Sequence, residues 1–352
     1  MPVPMPLISS RRKPLAACVA ALFALSAPMT CATTFVTNCN NGGTGSLRLA
    51  VGGAVEGDTV DATGLTTSSP GCSASKITLT TGDIATSRND LTIKGPGMKN
   101  LTVTARYSNG STVHQYQNRI FTHNGTGTLV ISDLSMSFGY VLNNAGLAKG
   151  GCIYSKGNVS LLQAGVYSCG AHTTTGAALG GGIFSTRSLS VVNSTISGNT
   201  SDGGSGGLAA GGGAYLGAYF GGGFTSKYSN FIGNTAQAAA NNFCDGGGVV
   251  VRSLAVLIAN TTIAGNRACH YAGLQVDDVA ATATLLNSTI SGNHAYNFGG
   301  GDWFQGVHPE CLQFHNRIQY GRLGIHPTPS GLAIDNSPIG LHSEVRKHAD
   351  RE

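Results

Sequence analysis

A seven-residue phrase that keeps returning constrains this chain more than any other feature. Asn193-Ser-Thr-Ile-Ser-Gly-Asn199 recurs as Asn260-Thr-Thr-Ile-Ala-Gly-Asn266 and, letter for letter, as Asn287-Ser-Thr-Ile-Ser-Gly-Asn293, with a degenerate copy at Tyr228-Ser-Asn-Phe-Ile-Gly-Asn234. The copies start 35, 32 and 27 residues apart. Repeats of that size belong to stacked architectures, in which each unit buries its apolar side only against its neighbours. The stretches between turns are short and alternate. Leu254, Val256 and Ile258 are predicted to point one way and Ser253, Ala255 and Leu257 the other; Ala281, Ala283 and Leu285, and Leu189 with Val191, repeat the pattern. Period two is the strand signature, and no long stretch carries a helical period.

A stack of short strands predicts columns. Ile196, Phe231, Ile263 and Ile290 hold the same place in the four copies and are expected to lie above one another in the core. The Gly-Asn pairs ending at Asn199, Asn234, Asn266 and Asn293 mark a shared corner, since glycine and asparagine tolerate positive φ best. Asparagines stacked in register can also hydrogen-bond as a ladder. Glycine triplets at 180–182, 211–213, 221–223, 246–248 and 299–301 are expected where strands begin against closely packed backbone. They lack the Lys-Ser/Thr and the strand-to-helix setting of a phosphate-binding loop.

Composition fits a turn-rich β protein: 52 of 352 residues are glycine, 41% are apolar and only 11% are charged. The apolar share argues against a disordered chain. The net charge of +5 is carried largely by Arg11, Arg12 and Lys13 near one end and Arg346, Lys347 and Arg351 near the other. The middle has no basic stripe, so nucleic-acid binding is not expected. The basic triplet, the apolar run Leu15 to Leu25, and Thr30 and Ala32 at the −3 and −1 places read as a signal peptide over residues 1–32. No other stretch is long and apolar enough to predict a membrane span. Seven cysteines remain beyond the leader. None shows CxxC spacing, and proximity suggests the pairs Cys39–Cys72, Cys152–Cys169 and Cys244–Cys269, with Cys311 left over.

Ahead of the repeats run Val36-Thr-Asn-Cys39, Gly45-Ser-Leu-Arg48-Leu-Ala50, Gly57-Asp-Thr-Val60, Ile77-Thr-Leu79, Leu91-Thr-Ile-Lys-Gly-Pro-Gly97 and Leu101-Thr-Val103. This order resembles the N-terminal part of bacterial exported β-helix proteins of the CSLREAI and polymorphic outer-membrane-protein-like type, over roughly residues 33–304. The resemblance implies an all-β chain folded as a right-handed parallel β-helix, on a secreted or surface-anchored protein. Within it, a short helix around Arg48 is expected to cap the open first coil, the cap occupying about 33–60. Beyond residue 304 the repeats stop and prolines, charges and five of the ten histidines gather; 305–352 reads as an irregular, disordered or truncated tail. Its histidines lack metal-site spacing.

Chemistry in a β-helix needs carboxylates converging on a groove. Asp277-Asp278 is the one adjacent pair between 33 and 304. It lacks the Asn-Thr-Asp, Gly-His-Gly and Arg-Ile-Lys companions of polygalacturonase-like sites, and it reads as a solvated turn. Tyr215, Tyr219 and Phe220 form the one tight aromatic cluster, in a 35-residue repeat longer than its neighbours, and are the binding candidates. Neither cofactor nor metal is expected. The reading is an exported cell-surface or extracellular scaffold, adhesin- or passenger-like, with surface glycans or host-cell components as partners. The alternative is a polysaccharide-active enzyme with a groove near Asp277 and Asp278.

Overall fold

The computed structural model describes residues 32–72, 74–108, 113–217, 221–239, 243–277, 282–298, 302–305, 312–315, 323–328 and 331–336. The chain is a parallel β-solenoid of about seven turns. One coil shows the plan. Asn158–Leu162 lies on a first face, Gly165–Tyr167 on a second, and Ile183–Ser185 on a third, after which Leu189–Val192 returns to the first. Between the second and third faces the chain runs outward along Gly170–His172 and back along Ala177–Leu179. Stacked coil upon coil, these two legs make a flat fin beside the three-sided body.

The spacing of the sequence repeats is the coil length. On the first face Leu189 pairs with Phe224, Phe224 with Val256 and Val256 with Ala283, offsets equal to the intervals between the repeated phrases. The expected apolar column exists and is longer than the four repeats. Ile77, Val103, Met136, Val166, Ile196, Phe231, Ile263 and Ile290 are successive partners on the second face, all essentially buried. Each such side chain contributes about 1.5–3 kcal/mol by leaving water. The alternation fails at one place. The strand is Ala255–Ala259, so only Val256 and Ile258 face the core; Leu254 precedes it and is exposed, while Ser253 is buried.

Two corners of the later coils use left-handed backbone. The turn from first to second face is made by Asp133, Gln163, Asn193, Tyr228, Asn260 and Asn287, all at positive φ. The turn from the second face into the fin is made by Gly198, Gly233, Gly265 and Gly292. The asparagine after each of those glycines turns inward. Asn199 Nδ2 donates to Asn234 Oδ1 (3.0 Å), Asn234 Nδ2 to Asn266 Oδ1 (3.0 Å) and Asn266 Nδ2 to Asn293 Oδ1 (2.9 Å). Each carboxamide oxygen also accepts the backbone N–H of the coil before it. Each amide also donates to a carbonyl of the second face. The ladder is thus fully satisfied, as a buried polar group requires.

Opposite the ladder stand the glycine triplets that precede third-face strands. A Cβ on Gly182, Gly213 or Gly248 would lie about 3.0 Å from the carboxamide of Asn199, Asn234 or Asn266, so the neck of the fin closes only without side chains there. The Gly221–Gly223 triplet has another job. It leads from the third face into the first-face strand Gly223–Lys227, in the connection that makes this coil longer than the coils on either side.

All three expected disulfides form: Cys39–Cys72, Cys152–Cys169 and Cys244–Cys269. Register explains the second. Cys152 stands in the column of Gly182, and Cys169 in the column of Asn199, so the disulfide ends the Gly/Asn neck and the Cys169 N–H meets Asn199 Oδ1. Inside the fin the two legs are close, and alanine fills the gap: Ala148, Ala171 and Ala178 in one part, Ala209, Ala236, Ala268 and Ala272 in another. The fin closes where one strand, Arg267–His270, pairs with both legs of the coil before it, beside Cys244–Cys269.

The N-terminal end is capped as expected. Ser46 caps the helix Leu47–Gly53, whose Leu47, Ala50 and Val51 are buried. Arg48 fastens it by donating to the carbonyls of Asn41, Gly82 and Asp83. Thr33–Phe35 already belongs to the first face, paired with Thr59–Asp61. The proposed signal segment, apart from Ala32, lies outside the described residues, as does most of 305–352. Within the latter, Leu312–His315 extends the first face in parallel, and Leu323–Thr328 pairs antiparallel with Gly331–Asn336.

Candidate functional site

The fin packs over the outer side of the third face and forms an interface with it. The third-face side of it is a column of residues that alternation turns away from the core: Tyr154, Phe184, Tyr215, Val250 and Gln275, successive partners in parallel register. Tyr154 and Phe184 stack at 5.7 Å between ring centroids, and Phe184 and Tyr215 at 5.6 Å, the planes 12° and 4° apart. Leu179, Leu208 and Ala210 of the fin pack against this column. Cations cover it as well: Arg119 over Tyr154, Lys149 over Phe184 and Arg252 over Tyr215, at 5.3, 4.6 and 5.7 Å. Tyr215, one of the binding candidates, is therefore buried, with its faces shared between Phe184 and Arg252. Tyr219 and Phe220 lie outside the described residues.

Past Val250 this interface becomes ionic. His270 Nδ1 lies 3.0 Å from Asp245 Oδ1. Asp277 Oδ2 accepts from Arg252 Nε at 3.4 Å and from Gln275 Nε2 at 2.9 Å. Asp277 is the last residue of the strand Leu274–Asp277 and is mostly covered, so it is not the solvated turn its sequence suggested; Asp278 lies outside the described residues. Burial raises the Asp245 carboxyl above its ordinary range; the hydrogen bond from His270 works against that rise and the charge of Asp277 adds to it. The Tyr271 phenol is raised too, by burial first and then by Asp245 and Asp277. Gln275 Oε1 is buried and has no hydrogen-bond partner among the described residues.

No family model, curated protein or solved structure matches this chain.

The site must therefore be judged on its own geometry. It brings together a half-buried carboxyl, a histidine and a second carboxylate, of which sequence reasoning had found only Asp277. A signal for the rest was present. Cys244 and Cys269, Asp245 and His270, and Arg252 and Asp277 are all 25 residues apart, the length of the coil on that side. The expected disulfide, taken as a ruler, would have paired the other four. Elsewhere the ionisable interior is occupied structurally: buried His123 meets Ser155 Oγ through Nδ1 and the Arg88 and Asn89 carbonyls through Nε2.

The second face offers a different surface. Its outward residues fall in two ranks, and on the last four coils these are Thr195 and Ser197, Asn230 and Ile232, Thr262 and Ala264, and Thr289 and Ser291. The coils of Ser135 and Gly165 on the same face are covered. Ser135 Oγ donates to the Met98 carbonyl, and the Tyr167 hydroxyl reaches Met98 Sδ. From Thr195 onward the ranks are half-buried or exposed.

Proposed function

We propose that this chain is an exported, extracellular or cell-surface scaffold that attaches to polar polymers such as surface glycans. The observation that carries the reading is the open part of the second face. It offers four rungs of mostly short hydroxyl and amide side chains at the strand spacing of about 4.8 Å. Such an array binds weakly at each rung and gains by repetition. Three disulfides suit an oxidising compartment, and no helix among the described residues is long and apolar enough to cross a membrane. The test is retention of the full chain on immobilised polysaccharides, compared with Thr262→Glu/Thr289→Glu. The variant should lose retention; equal retention of the two proteins refutes the assignment of the face.

A second reading, a polysaccharide-active enzyme, is favoured by one observation: burial raises the Asp245 carboxyl, and Asp277 is near enough to add to that rise. Glycoside hydrolysis uses a pair of carboxyl groups, one of them an acid whose proton is held by its surroundings. Against it, Asp277 is already held by Arg252 and Gln275. New reducing ends that vanish with Asp245→Asn and with Asp277→Asn would favour the enzyme over the scaffold.

A further inference from the structure

A pocket of about 360 Å³ lies at the N-terminal end of the second face, beside the cap. Lys76, Thr78 and Thr80 form one side of it, the Cys39–Cys72 region and Asn40 another, and Tyr116 a third. Its frame is rigid. The disulfide ties Cys39 to Cys72, and Asn41 is held by Arg48, by the Thr80 N–H and by the Thr81 hydroxyl. The groups facing the pocket are not so engaged. Among the described residues, the Asn40 amide, the Lys76 ammonium, the Thr78 and Thr80 hydroxyls and the Tyr116 phenol make no side-chain hydrogen bond or ion pair.

The chemistry of that lining selects a ligand class. An apolar ligand would strand four neutral polar groups against carbon. A polyhydroxylated ring can exchange hydrogen bonds with hydroxyls and an amide while laying its C–H face against an aromatic ring. Lys76 is the one charged residue of the lining, with no carboxylate beside it, so the pocket favours an anion. Lys76 could hold a phosphate as well as a carboxylate; what favours the sugar acid is the aromatic residue and the neutral polar groups of the lining, which a free phosphate would leave unused. We infer that this pocket binds a carboxylated sugar residue, of the uronic-acid class, through Lys76, the Asn40, Thr78 and Thr80 polar groups and the Tyr116 ring. The inference rests on the pocket alone and does not require attachment through the open rungs farther along the face.

The test is titration of the full chain with D-galacturonate, D-galactose and inorganic phosphate, followed by calorimetry or saturation-transfer NMR. Galacturonate should bind saturably at about 1–10 mM, a range usual for a single shallow site. Galactose and phosphate should each bind about tenfold more weakly, and added salt should narrow the galacturonate advantage. Lys76→Gln should reduce galacturonate binding to the galactose level, while Tyr116→Ala should weaken both sugars about tenfold. Thr262→Glu/Thr289→Glu should change neither, which separates this site from the open rungs. Equal binding of galacturonate and galactose, phosphate binding as tight as galacturonate, or galacturonate binding that survives Lys76→Gln each overturns the proposal. If Tyr116→Ala alters the circular dichroism spectrum, Thr80→Val replaces it, with weakened sugar binding expected and unchanged binding counting against the site.

Discussion

Replacing Asn234 by alanine isolates what the internal ladder is worth. The carboxamide makes four hydrogen bonds, each at 3.0 Å: Oδ1 accepts from the Asn199 N–H and Nδ2, and Nδ2 donates to Asn266 Oδ1 and the Ile196 carbonyl. At about 1 kcal/mol net for each bond the direct loss is about 4 kcal/mol. The Asn199 N–H then has no acceptor in a site closed to water, and an orphaned buried donor adds about 1–3 kcal/mol. The expected cost is therefore about 5–7 kcal/mol, well beyond the usual point mutation. The comparison is Asn193, six residues earlier in the same phrase. It is exposed and left-handed, with φ 48°. Asn193→Gly should change stability by only a few tenths of a kcal/mol, and Asn193→Ala should cost about 1 kcal/mol. Equilibrium denaturation in guanidinium, followed by far-ultraviolet circular dichroism, reads all three. A loss of 1 kcal/mol or less for Asn234→Ala would show that the ladder is ornamental and the reasoning wrong.

Ile263→Asp places a carboxylate between Phe231 and Ile290 in the buried column and should cost several kcal/mol, whereas Ser291→Asp, on the outer side of the neighbouring rung, should be mild; equal melting temperatures would mean the strand phase is misassigned. Removing the neck disulfide with Cys152→Ala/Cys169→Ala should cost about 2–4 kcal/mol, and Cys152→Gly/Cys169→Asn should recover part of it by continuing the Gly/Asn columns one coil further. Identical denaturation midpoints for those two double variants would refute the equivalence. Asp245 supplies a pH test. Burial raises its folded-state pKa above the ordinary 3.8, so its contribution is fully present below that value and is lost as pH rises through the raised one. Wild type should lose stability relative to Asp245→Asn across that window, and a flat difference curve would contradict the assignment.

Much of the fold was legible because the solenoid writes its geometry in one dimension. The spacing of the repeated phrase is the coil length, its central Ile or Phe is the core column, and its final Asn is the ladder. All three depend only on contacts between the same position in successive coils. The cap helix was legible from Ser46 and Arg48, and the disulfides from proximity. The face boundaries were less so: Leu254 and Ser253 look like strand residues until the strand is seen to begin at Ala255. The ionic cluster was mostly hidden. Asp245, His270 and Arg252 carry no motif, and they meet Asp277 because the coil shortens to 25 residues on that side.

The fin marks the limit of sequence reasoning most clearly. Nothing in Ala171, Ala178 or Ala209 says that two strands leave the body and return face to face, since alanine is at home in almost any buried place. The same holds for Tyr215, whose sequence neighbours suggested an exposed binding loop while the fin folds over its ring. The sequence by itself determined a stacked all-β chain, its core column, its ladder and its disulfides, because each follows from one position repeated at a fixed interval. Only the tertiary structure decided which ionisable groups meet, which aromatics are covered and where a pocket opens. Those outcomes depend on how different positions of one coil fold against each other, and no periodicity in the chain records that distance.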